Sequence, residues 1–156
     1  MLICLLRHAE AEPYQKDDFS RRLTGKGKTQ AGRVGEFLAR HTITPDLILT
    51  SPVLRARETA EIVSQKLGNI DLTEVSWLAC GMSPETALAE LAAYAPFQSM
   101  MIVGHEPDFS ALVASFIGLR TSASIDLSKA SLTGIDLARL TPGSGVLRFF
   151  LPVKLV

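Results

Sequence analysis

Cysteine, histidine and large aromatics are scarce in this chain: two cysteines, three histidines, one tryptophan and two tyrosines among 156 residues. Cys4 lies inside an apolar run and Cys80 in a predicted loop, which gives neither a disulfide framework nor a thiolate metal spacing and suits a reducing cytoplasm. Net charge is also missing. Lys+Arg and Asp+Glu balance at 16 each, so no global field gathers nucleic acid or an anionic membrane, and any preference for anions must be local. No apolar run approaches the roughly 20 residues that span a bilayer, and no basic segment leads into a signal-length apolar stretch. The expectation is a soluble cytoplasmic protein without membrane or nucleic-acid partners. Internal repeats, low-complexity tracts and long linkers are absent too, so residues 1–156 read as one domain, and a 47% hydrophobic content is enough to give it a core.

What is present is an alternation of short apolar runs and helical stripes. Residues 2–7 are continuously apolar up to Arg7, the pattern of a strand buried on both faces. A polar loop over 10–23 leads to Thr24, an N-cap for a helix with Ala31, Val34, Phe37 and Leu38 on one stripe. Asp46 to Thr50 is a second strand, and Ser51-Pro52 predicts the next helix start, with the serine as cap and proline at the first helical position. That helix turns Ala56, Ala60, Val63 and Leu67 inward and ends at Gly68-Asn69. Residues 70–75 suggest a short edge strand, 84–94 a helix, 99–103 a third buried strand and 107–117 a helix ended by Gly118. Leu132 to Leu137 and Val146 to Pro152, joined through Pro142-Gly143-Ser144-Gly145, predict an antiparallel hairpin. The whole predicts a three-layer α/β/α sandwich with a mostly parallel sheet and an antiparallel C-terminal part.

Two histidines sit at strand ends, the edge where open α/β sheets bind ligands. Arg7-His8 follows the first run and Gly104-His105-Glu106-Pro107 the third, while Arg55 falls in the first turn after the second. Arginine suits a phosphoryl group because its planar fork donates paired hydrogen bonds and does not deprotonate. A helix N-terminus near Arg55 would add free N–H groups. His41 closes a helix, where an imidazolium suits the dipole, and Arg57 reads as a surface charge.

Other phosphate chemistries fail on spacing. Gly25-Lys26-Gly27-Lys28-Thr29 ends like a Walker A loop, but the first glycine would fall on Arg22 and no strand precedes it. A cysteine phosphatase needs arginine six residues after the cysteine, where Glu10 and Thr86 stand. A metal site at His8 and His105 would need a further ligand from Glu10, Glu12, Glu106 or Asp108, and no metal or other cofactor is expected.

Arg7-His8-Ala9 resembles the Arg-His-Gly signature of the histidine phosphatase (phosphoglycerate mutase-like) superfamily, with alanine in place of the usual glycine. Ser51-Pro52, Arg55-Ala56 and Thr59-Ala60 resemble its Ser-Pro…Arg-Ala…Thr-Ala helix, Gly104-His105 its later strand end, and Arg21 to Gly27 its Arg-Pro-Leu-Thr-x-x-Gly loop. The resemblance implies that His8 attacks phosphorus and is transiently phosphorylated, that Arg7, Arg55 and His105 hold the equatorial oxygens, and that Arg21 contributes to substrate binding. Larger family members carry a carboxylic acid after the third strand to protonate an alkoxide. The segment Trp77 to Met82 has none, and Glu74 and Glu85 only flank it. Short length and a missing acid resemble the SixA-like phosphohistidine phosphatase branch, which implies as partner a phosphorylated histidine-phosphotransfer domain or phosphocarrier protein. Two alternatives stand beside it: a small phosphomonoesterase using Glu85, Glu106 or Asp108 as proton donor, and a phosphate-binding module weakened by Ala9. Lys129 is a further candidate to reach over the pocket. The sequence sets no oligomeric state.

Overall fold

The structure, a computed structural model, describes residues 1–13 and 17–156. Six strands form one mixed sheet: β1 (Leu2–Arg7), β2 (Leu47–Thr50), β3 (Leu72–Glu74), β4 (Ser99–Gly104), β5 (Leu132–Leu137) and β6 (Gly145–Leu151), in the order β3-β2-β4-β1-β5-β6. β3, β2, β4 and β1 run parallel, and the C-terminal pair is antiparallel, as the sequence predicted. Four helices cover it: α1 (Gly25–Arg40), α2 (Leu54–Lys66), α3 (Pro84–Leu91) and α4 (Asp108–Phe116). None of the described helices is long and apolar enough to cross a membrane.

Continuous apolar runs arise because each central strand is covered on both sides. Ile3, Leu5, Met100 and Ile102 pack with Leu88, Leu91, Phe109, Leu112 and Phe116 of α3 and α4. Their neighbours Cys4, Leu6, Met101 and Val103 pack with Ala31, Val34, Leu38, Ala60 and Val63 of α1 and α2. β1 and β4 are adjacent, yet the helix after β1 lies on one face and the helix after β4 on the other. The chain therefore diverges at their C-terminal ends and leaves a crevice there. α1 begins with Thr24 as N-cap, its side chain accepting from the Gly27 N–H, and ends at His41, whose ring stacks on Phe37. Gly27 is needed for close approach: a Cβ there would lie 1.9 Å from the Glu10 carbonyl oxygen.

α2 departs from expectation. Val53, not Ser51, is its N-cap, no side chain caps it, and the helix starts at Leu54, beyond Pro52. Ser51 is drawn away by a neighbouring strand, since its hydroxyl lies 2.8 Å from His105 Nε2 while accepting from the Val53 N–H at 3.2 Å. The Leu54 N–H is not free for an anion either; it donates to the Phe19 carbonyl at 3.1 Å.

Candidate functional site

The β1–β4 register pairs Leu6 with Val103 and Arg7 with Gly104, so the residues that follow, His8 and His105, emerge side by side with ring centroids 5.3 Å apart. The His8 N–H donates to the Gly104 carbonyl at 3.0 Å, and the Ala130 N–H donates to the His8 carbonyl at 3.2 Å. Gly104 keeps the strand end narrow, because a Cβ would stand 2.8 Å from the Phe109 ring.

The hydrogen bonds around His8 select one tautomer. Its Nδ1 lies 2.8 Å from the Ala9 carbonyl, which can only accept, so Nδ1 carries the proton. Arg55 Nε, which can only donate, lies 3.2 Å from Nε2. Nε2 is therefore unprotonated, its lone pair accepting from Arg55 Nε, and becomes a nitrogen nucleophile when an incoming group takes that donor. Burial pushes the His8 pKa down to about 3, with the charges of His105, Arg55 and Arg7 acting in the same direction. Ala9 is fully buried and is not among the positive-φ residues, so the backbone after the histidine accepts alanine without strain.

Arg55, in the first turn of α2, holds its guanidinium in the crevice with 5% of its side chain exposed. Thr59, one turn later and fully buried, fixes this turn against the His8 loop: its hydroxyl donates to the Arg55 carbonyl at 2.7 Å and accepts from the Ala9 N–H at 3.1 Å. Arg7 points to the α3/α4 side. Its Nη1 donates to the Leu127 carbonyl at 2.6 Å, while Nε is buried without a partner. His105 is 2% exposed, and burial, reinforced by Arg55, pushes its pKa down to about 4. With Nε2 on Ser51, its buried Nδ1 is unpartnered. A Ser51 hydroxyl donating to Nε2 leaves the His105 proton on Nδ1, as a donor available to an anion.

The expected set Arg7, His8, Arg55 and His105 is thus brought together. Arg21 lies at the rim, its Nε donating to Asp18 Oδ1 at 2.7 Å and its Nη1 to the Glu12 carbonyl at 2.9 Å. The carboxylates considered as proton donors stand apart in different ways. Asp108 Oδ2 accepts the Gly81 and Met82 N–H groups at 2.8 and 3.2 Å and so braces that loop. Glu106 Oε2 accepts from Ser110 Oγ at 2.6 Å, its Oε1 is buried without a partner, and burial raises its pKa. Glu85 is exposed in the first turn of α3, where bonds to its own backbone N–H and to Ser83 hold its carboxyl below the usual range. Glu74 pairs with Arg57 at 3.4 Å on the surface. Lys129 lines a neighbouring groove of about 520 Å³ with Glu10, Gln30, Asp126 and Phe150. Among the described residues no group of three or more His, Cys, Asp and Glu side chains could hold a metal ion.

Three contributors escaped the sequence reading. Ser51, a helix cap by its local sequence, lies on His105 Nε2, Cys80 has its Sγ 3.7 Å from Arg55 Nη2, and Asp18 reaches Arg55 from the loop. The only sequence signal for Asp18 was its place three residues before Arg21.

Geometrically, the crevice offers a nitrogen lone pair flanked by fixed cations and a neutral imidazole. Comparison with known proteins gives this arrangement its family. Residues 3–79 match the model of the histidine phosphatase superfamily (branch 1). The phosphohistidine phosphatase SixA homolog of Haemophilus influenzae is 32% identical over 135 residues, 80% of this chain and 82% of that protein. Among solved structures, a candidate phosphohistidine phosphatase SixA from Agrobacterium tumefaciens superimposes with a TM-score of 0.83 at 29% identity, covering 97% of both chains. The protein histidine phosphatase SixA complexed with tungstate has the same fold, with a TM-score of 0.89 at 22% identity over 99% of this chain and 98% of that one. With a relative at this identity matched over about four fifths of both chains, the protein belongs to the histidine phosphatase superfamily, in its SixA-like branch, and is a phosphatase.

Proposed function

We propose that the protein removes the phosphoryl group from a phosphohistidine carried by another protein, such as a histidine-phosphotransfer domain or a phosphocarrier. His8 Nε2 attacks phosphorus, the P–N bond to the substrate imidazole, protonated on its far nitrogen, breaks as the P–Nε2 bond forms, and neutral imidazole departs with the electron pair. Water then attacks the phosphorylated His8, giving inorganic phosphate and restoring the lone pair. Arg7, Arg55 and the Nδ1–H of His105 would meet the equatorial oxygens, whose charge must be stabilised as the bond breaks. Arg21 would receive the substrate at the rim.

The observation that carries this reading is the state of the carboxylate that reaches Arg55. Among the described residues, the carboxylate that touches the cluster is Asp18, and the Arg55 and Arg21 charges hold it below the usual range despite its partial desolvation. An ionised carboxylate gives no proton to an alkoxide, so the site favours leaving groups that need none, of which imidazole is one. The name of the H. influenzae relative agrees with this.

The test is a phosphate-release panel of a phosphohistidine peptide, aryl phosphates and alkyl phosphates. Phosphohistidine and aryl phosphates should turn over far faster than serine phosphate, with a steep dependence on phenol pKa. Acid-quenched wild-type enzyme should carry labelled phosphate that His8→Ala loses; label retained by the variant would refute the nucleophile. One observation favours a second reading, a phosphomonoesterase: Glu106 follows His105, and burial raises its pKa above the ordinary carboxylate value. Alkyl phosphate turnover equal to that of aryl phosphate, abolished in Glu106→Gln alone, would establish that reading in place of the first.

A further inference from the structure

Asp18 reaches in from the rim onto the cation that flanks the nucleophile. Its Oδ2 lies 3.2 Å from Arg55 Nη2, and the two side chains are 44% and 5% exposed, an accessible anion on a buried guanidinium. Its backbone carbonyl accepts from Arg55 Nη1 at 2.9 Å. With Nε on His8 Nε2 and Nη2 also reaching Cys80 Sγ, each nitrogen of Arg55 is already engaged. The Oδ2 oxygen brings to Arg55 Nη2 the charge sign of a phosphoryl oxygen, while Oδ1 accepts from Arg21 Nε at 2.7 Å. Asp18 thus occupies donors that a phosphoryl group at His8 would require.

The segment that carries it is separable from the framework. Asp17, Phe19 and Ser20 are exposed. The segment is tied down by the Leu54 N–H to the Phe19 carbonyl, by Arg21 to the Glu12 carbonyl at 2.9 Å, and by the buried Leu23, whose N–H donates to Glu58 at 2.7 Å. The His8 backbone bonds run to Gly104 and Ala130 and involve none of these residues. Asp18 can therefore leave Arg55 without disturbing the nucleophile.

We propose that Asp18 is a specificity-determining residue that acts as an internal competitor: its carboxylate holds Arg55 between turnovers, yields it to an incoming phosphoryl group, and reclaims it as inorganic phosphate departs. This rests on the site being a phosphoryl pocket. A phosphoryl group delivered on a protein brings contacts outside the crevice that offset the exchange; free phosphate and small phosphate esters bring none. Asp18 then discriminates against small anions and limits inhibition by the product.

The experiment titrates inorganic phosphate into wild type, Asp18→Asn and Asp18→Glu by calorimetry, and measures kcat and KM for a phosphohistidine peptide and an aryl phosphate. If the carboxylate occupies Arg55 about nine tenths of the time, removing its charge should tighten phosphate about tenfold and lower the aryl phosphate KM by a similar factor. The peptide KM should change less, and Asp18→Glu should stay near wild type. Asp18→Ser serves as a second neutral variant should the asparagine form fold poorly. Unchanged or weaker phosphate binding in folded neutral variants, with wild type binding and turning over normally, overturns the role of Asp18 alone. If wild type neither binds phosphate nor turns over any phosphoryl substrate, the pocket reading falls with it.

Discussion

Two neutral, buried histidines make the stability of the fold respond to pH. The ordinary histidine value is 6.5; burial is the main cause that lowers His8 to about 3 and His105 to about 4. For a group whose folded pKa is depressed, the stability is fully present above the unfolded value and is lost as pH falls toward the folded one, because only the unfolded chain takes up protons in that window. Between pH 7 and pH 5 each histidine then withdraws about 1.9 kcal/mol, and the pair about 3.8 kcal/mol. In this interval the figure depends almost wholly on the unfolded value, so it holds for any folded pKa below about 4.5. Against a total of roughly 5–15 kcal/mol for a domain, the loss is large. The assay is urea unfolding at pH 7, 6 and 5 for wild type and for the double variant His8→Gln/His105→Gln, in which carboxylate titration contributes equally and cancels. Wild type should lose about 3.8 kcal/mol more than the variant over this range. Parallel curves for the two proteins, or either ring titrating between pH 6 and 7 in nitrogen-edited NMR of the folded protein, would refute the reasoning.

Arg55→Ala should lower kcat/KM roughly 10²-fold or more, about 3 kcal/mol, because the guanidinium is expected to meet charge that develops in the transition state; an effect confined to KM would contradict this. Thr59→Val keeps the shape of the side chain but leaves the buried Ala9 N–H without its acceptor. It should cost about 1–3 kcal/mol in thermal or urea unfolding, and an unchanged melting curve would show that the bond carries no stability.

The layers and the positions of His8, His105 and Arg55 were legible because each depends on local pattern. Strands buried on both faces read as unbroken apolar runs, and the residue after such a run lies at the ligand-binding edge whatever the loops do. The cap at Thr24 and the helix ending at His41 were likewise local matters, settled within a few residues. Ser51 was misread because its local grammar, serine before proline, is that of a helix start, whereas its partner His105 is 54 residues away on the adjacent strand. Asp18 meets Arg55 across 37 residues, by way of a loop whose path no periodicity describes. The pattern of Asp108 gave no hint that the Gly81 and Met82 N–H groups would claim its carboxylate. Long-range polar pairing has no period to read.

The pairing of Arg7 with Gly104 has a thermodynamic consequence. The spacing of the two imidazoles is inherited from backbone hydrogen bonds between the two innermost parallel strands, so the entropy of ordering the two rings is spent during folding rather than on substrate binding. Such strands open only with the whole molecule, while exposed rim segments fluctuate on their own. Heat should therefore find no intermediate in which the sheet survives and the two rings have drifted apart: the ring signals of His8 and His105 and the sheet should be lost on one cooperative curve.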